Sequence, residues 1–283
     1  MKLVTFEAGG KASYGSLAGD RIIDLGASLG PRYPGIRAVL EAGALPELAR
    51  LASATAATHS LADVKLLPVI TNPRKIFCVG LNYKTHVIET KRSDSAYPAI
   101  FTRFADTLVA HDAPLFKPNI SNRFDFEGEL AVVIGKGGRN ITQANALDHI
   151  AGYACFNDGS VRDWQRHTHQ WTPGKNFPGT GAFGPCLTTP DEVPDFGAQT
   201  ITTRLNGEVV QHASLSDLIF TLPVIIEYLS AFTPLMPGDV VATGTPGGVG
   251  DKREPPLYMK DGDVVEVEIT GIGLLRNVVK NEV

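Results

Sequence analysis

The run Phe126-Glu127-Gly128-Glu129-Leu130-Ala131-Val132-Val133-Ile134 sets two carboxylates two residues apart at the mouth of an apolar stretch. An extended backbone points residues i and i+2 to one face, so both acids meet there. Like charges that close repel. Once buried, they must share a proton or neutralise against a cation, and oxygen-only ligands select hard ions such as Mg²⁺, Mn²⁺ or Ca²⁺. The spacing alone also fits two solvated glutamates on a strand face, so a third acid is needed. Asp158 offers one, at the end of the apolar run Cys155-Phe156-Asn157-Asp158-Gly159 and before a segment from Ser160 that reads as a helix. If that segment is helical, Asp158, Arg162 and Gln165 share a face, and an acid, a forked cation and an amide line one wall of a pocket. A helix-capping Asp beside a solvated Arg is the alternative. Lys175 lies in the Pro/Gly-rich run Thr172-Pro173-Gly174-Lys175, where a lysine is ordinarily exposed.

A candidate base comes earlier. Cys78-Val79-Gly80-Leu81-Asn82-Tyr83-Lys84-Thr85-His86 leaves a strand through a glycine, and Glu89 follows His86 by three. On one helical turn that carboxylate fixes the imidazole tautomer and raises the basicity of the other nitrogen. Such a pair takes protons from water or from a carbon beside a carbonyl, although an exposed helix pair has the same spacing. His167 and His169 lack a nearby third zinc ligand and read as surface loop. The run Thr243-Gly244-Thr245-Pro246-Gly247-Gly248-Val249-Gly250 lacks the Lys-Ser/Thr ending of a phosphate loop, but its N–H groups and the Thr245 hydroxyl suit a carboxylate.

The elements that must position these residues read as follows. Short strands at Lys2 to Phe6, Tyr14 to Leu17 and Arg21 to Asp24 precede an alanine- and leucine-rich helical stretch from Ile36 to Ala57. Pro68, Asn72 and Pro73 then mark a boundary near residue 70. Beyond it β-rich runs dominate, with hairpin chemistry at Asn206-Gly207 and Asp261-Gly262. Thr142 is a candidate cap for Gln143 to His149, and Ser214 or Ser216 starts an amphipathic stretch, bent at Pro223, that reaches Phe232.

Taken in order, these segments resemble the fumarylacetoacetate hydrolase superfamily. The resemblance is carried by Lys75-Ile76-Phe77-Cys78-Val79-Gly80-Leu81-Asn82-Tyr83 with His86 and Glu89, by Glu127-Gly128-Glu129, by Asn157-Asp158 with Arg162-Asp163-Trp164-Gln165, by Gly174-Lys175, and by the Thr243–Gly250 run. It implies an α+β, mainly β fold: a rolled, mixed, barrel-like β-sandwich with peripheral helices. Residues 1–70 then form a small N-terminal α+β module and 71–283 the catalytic part. It further implies a homodimer and a Mg²⁺ or Mn²⁺ held by Glu127, Glu129 and Asp158. His86 and Glu89 become a water-activating dyad on a mobile lid, Lys175 a further catalytic group, and Arg162, Gln165, Thr245 and Tyr83 substrate contacts. Two departures from the family pattern stand near the expected pocket: Arg103-Phe104 in place of a common Lys-Pro pair, and Asn176-Phe177-Pro178-Gly179-Thr180 after the lysine.

The expected reaction is C–C hydrolysis of a 2,4-dioxo acid such as an acylpyruvate or fumarylpyruvate, in the setting of aromatic compound catabolism. The alternative is isomerase, tautomerase, decarboxylase or hydratase action on a 2-oxo diacid, such as 2-hydroxyhepta-2,4-diene-1,7-dioate or oxaloacetate. A non-catalytic binding module on the same fold is a third reading, and its mark would be a missing ligand or dyad residue.

The bulk numbers exclude other classes. A net charge of -4 and isolated basic doublets such as Lys91-Arg92 leave no surface suited to nucleic acid. The most apolar late stretch, Leu218 to Phe232, is interrupted by Pro223 and Glu227, so no membrane span and no signal peptide is expected. Cys78, Cys155 and Cys186 have no paired spacing, and a reducing cytoplasm fits.

Overall fold

The computed structural model describes residues 1–91 and 95–282, so Arg92 of the basic doublet lies outside the described residues. Its central strand, Gly128–Ile134, is buried at every position and pairs antiparallel with Ile150–Asp158 on one side and Val240–Ala242 on the other. A strand covered on both faces reads as a continuous apolar run, as Leu130 to Ile134 does. The two faces serve different cores. Leu130, Val132 and Ile134 join Ile201, Val265, Val267 and Leu275 of a second sheet, while Ala131 and Val133 join Val39, Leu40 and Leu48 of the leading helices.

The first sheet has twelve strands. From one edge its path runs His59–Ser60, Arg21–Asp24, Lys11–Ala18, Lys2–Ala8, Gly181–Thr188, Ile150–Asp158, Gly128–Ile134, Val240–Ala242, Ile76–Gly80 and Ala99–Arg103. Residues 1–70 therefore extend this sheet, joined through Lys2 opposite Thr188 and Leu3 opposite Leu187. The second sheet has five strands, ordered Glu208–Ser214, Thr200–Leu205, Val264–Ile269, Gly273–Asn281 and Leu115–Lys117. With few and short helices around these sheets, the fold is α+β and mainly β. No described helix is long and apolar enough to cross a membrane.

Several local expectations are corrected. The helical stretch from Ile36 splits into Ile36–Glu41 and Leu45–Ala54, because Gly43 between them has a φ of +63°. Gln143–His149 is 3₁₀ rather than α, and the Thr142 side chain makes no cap bond. Ser160–Val161 is a short strand paired with Phe124–Asp125, and the helix after it covers only Arg162–Gln165. Ser214 caps the short turn Leu215–Asp217, in a reciprocal bond with Asp217. The true helix is Leu222–Phe232, and Pro223 sits in its first turn, where a missing N–H costs nothing; it starts the helix and does not bend it. Asn206-Gly207 is the expected hairpin turn, both residues having positive φ. Asp261-Gly262 is not a hairpin: it only leads into Val264–Ile269, whose partner Gly273–Asn281 follows the turn at Gly271.

Candidate active site

Register assembles the acids. In the antiparallel pair, Glu129 lies opposite Phe156 and Gly128 opposite Asn157, and the Asp158 N–H bonds the Glu127 carbonyl at 2.8 Å. Directly opposed side chains stand about 5 Å apart at Cβ, and the period of two puts Glu129 on the face of Glu127. One carboxylate oxygen from each of Glu127, Glu129 and Asp158 lies within 4.8 Å of the others, and all three residues are buried. Asp158 thus enters from a strand end, not from the helix face that the sequence suggested.

Three buried cations answer these acids. Lys175 Nζ lies 2.5 Å from both Glu127 Oε2 and Asp158 Oδ2. It is 1% exposed, contrary to the expectation from its loop-like sequence. Gly174 explains this: a Cβ there would meet the Gln165 backbone nitrogen at 2.3 Å, so only glycine lets the turn Thr172–Lys175 press against Arg162–Gln165 and drive the lysine inward. Arg162 Nε bonds Asp125 Oδ2 at 2.8 Å, and its Nη1 reaches Glu127 Oε1 at 2.7 Å and Gln165 Oε1 at 3.0 Å. Its Nη2 is buried without a partner among the described residues. Arg103 Nη1 bonds Asp158 Oδ1 at 2.6 Å and the Gly159 carbonyl at 3.0 Å, and Nη2 donates to Thr180 at 2.8 Å.

The charges do not balance. Asp125, Glu127, Glu129 and Asp158 face Arg103, Arg162 and Lys175, four carboxylates against three cations. Burial pushes the Glu127 carboxyl up, but Arg162, Lys175 and His86 outweigh it and hold its pKa well below the ordinary value. Burial together with Asp158 and Glu127 pushes the Glu129 carboxyl well above it. Among the described residues Glu129 accepts only the Gly244 N–H, at 2.8 Å. Burial pulls the Lys175 ammonium down, yet Asp158 and Glu127 keep its pKa raised. A hard divalent cation fits this set: its donors are all carboxylate oxygens, and it would relieve the one acid that has no cationic partner.

His86 faces the same space from helix Lys84–Glu89, with Glu89 behind it. His86 Nδ1 lies 2.6 Å from Glu89 Oε1, which leaves Nε2 available. A cavity of about 140 Å³ is bounded by His86, Glu127, Glu129, Arg162, Lys175, Gln165 and Thr245, with Arg166, Asp251 and Lys252 among its remaining lining residues. Tyr83 is not brought to it. Its ring is fully buried in the core between the sheets, with a hydroxyl that has no partner among the described residues. Thr245 reaches the lining, but its hydroxyl donates to the Gly128 carbonyl at 2.9 Å and accepts from Gln211 Nε2 at 2.8 Å. His167 and His169 are exposed, as expected.

Three residues of this region were not singled out in the sequence for the roles that they occupy. Asp125 accepts from Arg162 and from the Phe126, Gly250 and Asp251 N–H groups. Gln211 arrives from the second sheet to hold Gly128 N–H and Thr245. Arg103 carried a signal, its departure from the family pattern. The two departures meet in space: Arg103 bonds Thr180, and the Phe104 N–H donates to Asn176 Oδ1 at 2.7 Å.

Comparison with known proteins agrees with this arrangement. A mitochondrial oxaloacetate tautomerase of Xenopus laevis is 42% identical over 220 residues, 77% of this chain and 69% of that protein. The fumarylacetoacetate hydrolase of psychrophilic Exiguobacterium antarcticum superposes over the whole of both chains with a TM-score of 0.88 and 34% identity. Maleylpyruvate hydrolase from Sphingobium sp. SYK-6, solved with manganese(II) ion and pyruvate, matches over both full chains with a TM-score of 0.83 and 27% identity. The family model for the fumarylacetoacetate (FAA) hydrolase C-terminal region matches residues 75–280, a span that holds every acid, cation and dyad residue described above, and the chain belongs to that family.

Proposed function

We propose that this enzyme interconverts the keto and enol forms of a small 2-oxo diacid of the oxaloacetate class. The observation that carries the reading is His86, tied by Nδ1 to Glu89 at 2.6 Å and sharing a small cavity with Glu127 and Glu129 of the three-acid cluster. In this reading His86 Nε2 takes the proton from the carbon beside the ketone and hands it to the enolate oxygen, the reverse transfer restores the ketone, and Glu89 stabilises the imidazolium between the two steps. Arg162 offers its unpartnered Nη2 to a carboxylate of the substrate. Lys175 and Gln165 complete the polar wall. A Mg²⁺ or Mn²⁺ held by Glu127, Glu129 and Asp158 would supply Lewis-acid polarisation of the 2-oxo group.

The sequence favoured C–C hydrolysis of an acylpyruvate. Relatives about two-fifths identical are named for oxaloacetate tautomerisation, which supports putting that reaction first. Hydrolysis is the second reading, because the same dyad can activate water and a neighbour at 27% identity is a maleylpyruvate hydrolase. One experiment separates them. With Mn²⁺ present, the enzyme should speed the ultraviolet absorbance decay of enol-oxaloacetate without producing pyruvate. Pyruvate and acetate formed rapidly from acetylpyruvate, with no effect on the oxaloacetate enol, would replace tautomerisation by hydrolysis. Inertness toward both, with Mn²⁺ bound, would remove both readings and leave the isomerase, hydratase and binding-module alternatives.

Three further expectations belong to this proposal: that residues 71–283 carry the chemistry, that the protein is a homodimer, and that it works in the cytoplasm. Sedimentation and cell fractionation check the last two.

A further inference from the structure

The glycine-rich loop 243–250 reaches both the acid cluster and the dyad through its backbone. Gly244 donates to Glu129, Gly248 to Glu89 and Gly250 to Asp125, each at 2.8 Å, and Gly247 donates to Thr85 Oγ1 at 3.0 Å. Two of these four bonds land on the helix Lys84–Glu89. That helix has six residues, no side-chain cap, and only His86 and Val87 buried. A helix so short does not hold itself together in water, so its seat depends on partners outside it. Glu89 gives one oxygen to His86 and the other to Gly248, so the carboxylate that orients the imidazole is itself oriented by the loop.

We propose that Thr85 is a positioning residue: by accepting the Gly247 N–H it seats the dyad helix on the loop and so aims His86 at the cavity. The proposal rests on the reading of His86 as the base. Steric fit supports it as well as hydrogen bonding. A Cβ on Gly247 would stand 3.0 Å from the Thr85 Cβ, and Gly247 does not have a positive φ. An alanine there presses on Thr85 without backbone strain. Gly248 differs: its φ is +104° and a Cβ would meet the Val210 carbonyl at 2.2 Å, so its variants would report on the loop's own folding.

The test compares Thr85→Val, which keeps the shape and removes the acceptor, with Thr85→Ser, Gly247→Ala and His86→Ala. For each, kcat and KM with oxaloacetate are measured alongside Mn²⁺ titration and amide exchange over residues 84–90. The Thr85–Gly247 bond is exposed and water can take the lost acceptor's place, so Thr85→Val should lower kcat by about fivefold, the worth of one net hydrogen bond, with KM and Mn²⁺ affinity unchanged. The Val87 and Thr90 amides should exchange faster, Thr85→Ser should restore both readouts, and Gly247→Ala should mimic Thr85→Val. Parent rates and parent exchange in Thr85→Val and Gly247→Ala, with His86→Ala impaired, would overturn the proposal while sparing the base. Loss of Mn²⁺ affinity in Thr85→Val would also overturn it, by showing general disruption. If His86→Ala itself runs at the parent rate, the base assignment falls and takes the catalytic part of this proposal with it.

Discussion

The carboxylate cluster and the His86–Glu89 helix border one cavity, yet they are held by different kinds of structure. The acids stand on the ends of two fully buried strands whose register is fixed along their length, and each of Glu127 and Asp158 is answered by two cations. The dyad stands on a short helix tied down by two loop N–H groups. The acid cluster is therefore built into the core and its loss should reach the whole fold, whereas the His86–Glu89 pair is docked onto that core and its loss should stay local.

The comparison breaks first at Asp158. Asp158→Ala takes from buried Arg103 its carboxylate partner and leaves Lys175 with Glu127 alone, and orphaning a buried partner typically costs about 3–5 kcal/mol, so urea denaturation should show a large drop and Mn²⁺ should no longer raise the melting temperature. His86→Ala should behave oppositely. Turnover should fall by about 10²–10⁴-fold while the Mn²⁺-induced rise in melting temperature persists, and a lost metal response would show that the two halves are not separable. Arg103→Lys sharpens the contrast within the core, since a single ammonium cannot serve Asp158, Gly159 and Thr180 together. A loss of roughly 1–3 kcal/mol in unfolding free energy is expected; a neutral result would mean that the fork is replaceable.

The smallest effect belongs at the cavity lining. Partial burial pushes the Asp251 carboxyl up, but hydrogen bonds from Arg166 and Tyr258 outweigh it and hold its pKa at about 2, against an ordinary 3.8. A depressed pKa contributes stability above the unfolded value and loses it as pH falls from about 4 to about 2. Asp251→Asn should flatten the acid limb of the melting-temperature profile in that window, melting modestly below the parent near neutrality and converging with it at about pH 2.

How much of this was legible follows from the range of each interaction. The glutamate pair was readable because a period of two is local, and His86 with Glu89 because a helical turn is local. Asp158 was read at the end of its strand, where it lies, but Arg162 and Gln165 do not continue from it on one helix, because Ser160–Val161 pairs as a strand with Phe124–Asp125. Lys175 could not be read as buried: that depends on Gly174 meeting Gln165, at the end of a separate helix. Tyr83 sat within a matching motif yet turns into the core, which no spacing rule predicts. The strand Gly181–Thr188 escaped notice because Gly181, Gly184 and Pro185 punctuate it, although it lies at the middle of the large sheet.

The leading residues bear on how the protein can be dissected. Leu3, Val39, Leu40, Leu48 and Ile70 cover Ala131, Val133, Phe156, Phe183 and Leu187, the sheet face from whose strands Glu129 and Asp158 emerge. A chain cut near residue 70 would present that oily face to water and leave Phe183–Thr188 seeking a new neighbour along its edge. Self-association of such a fragment would follow from its missing cover, however faithfully its chemistry were preserved.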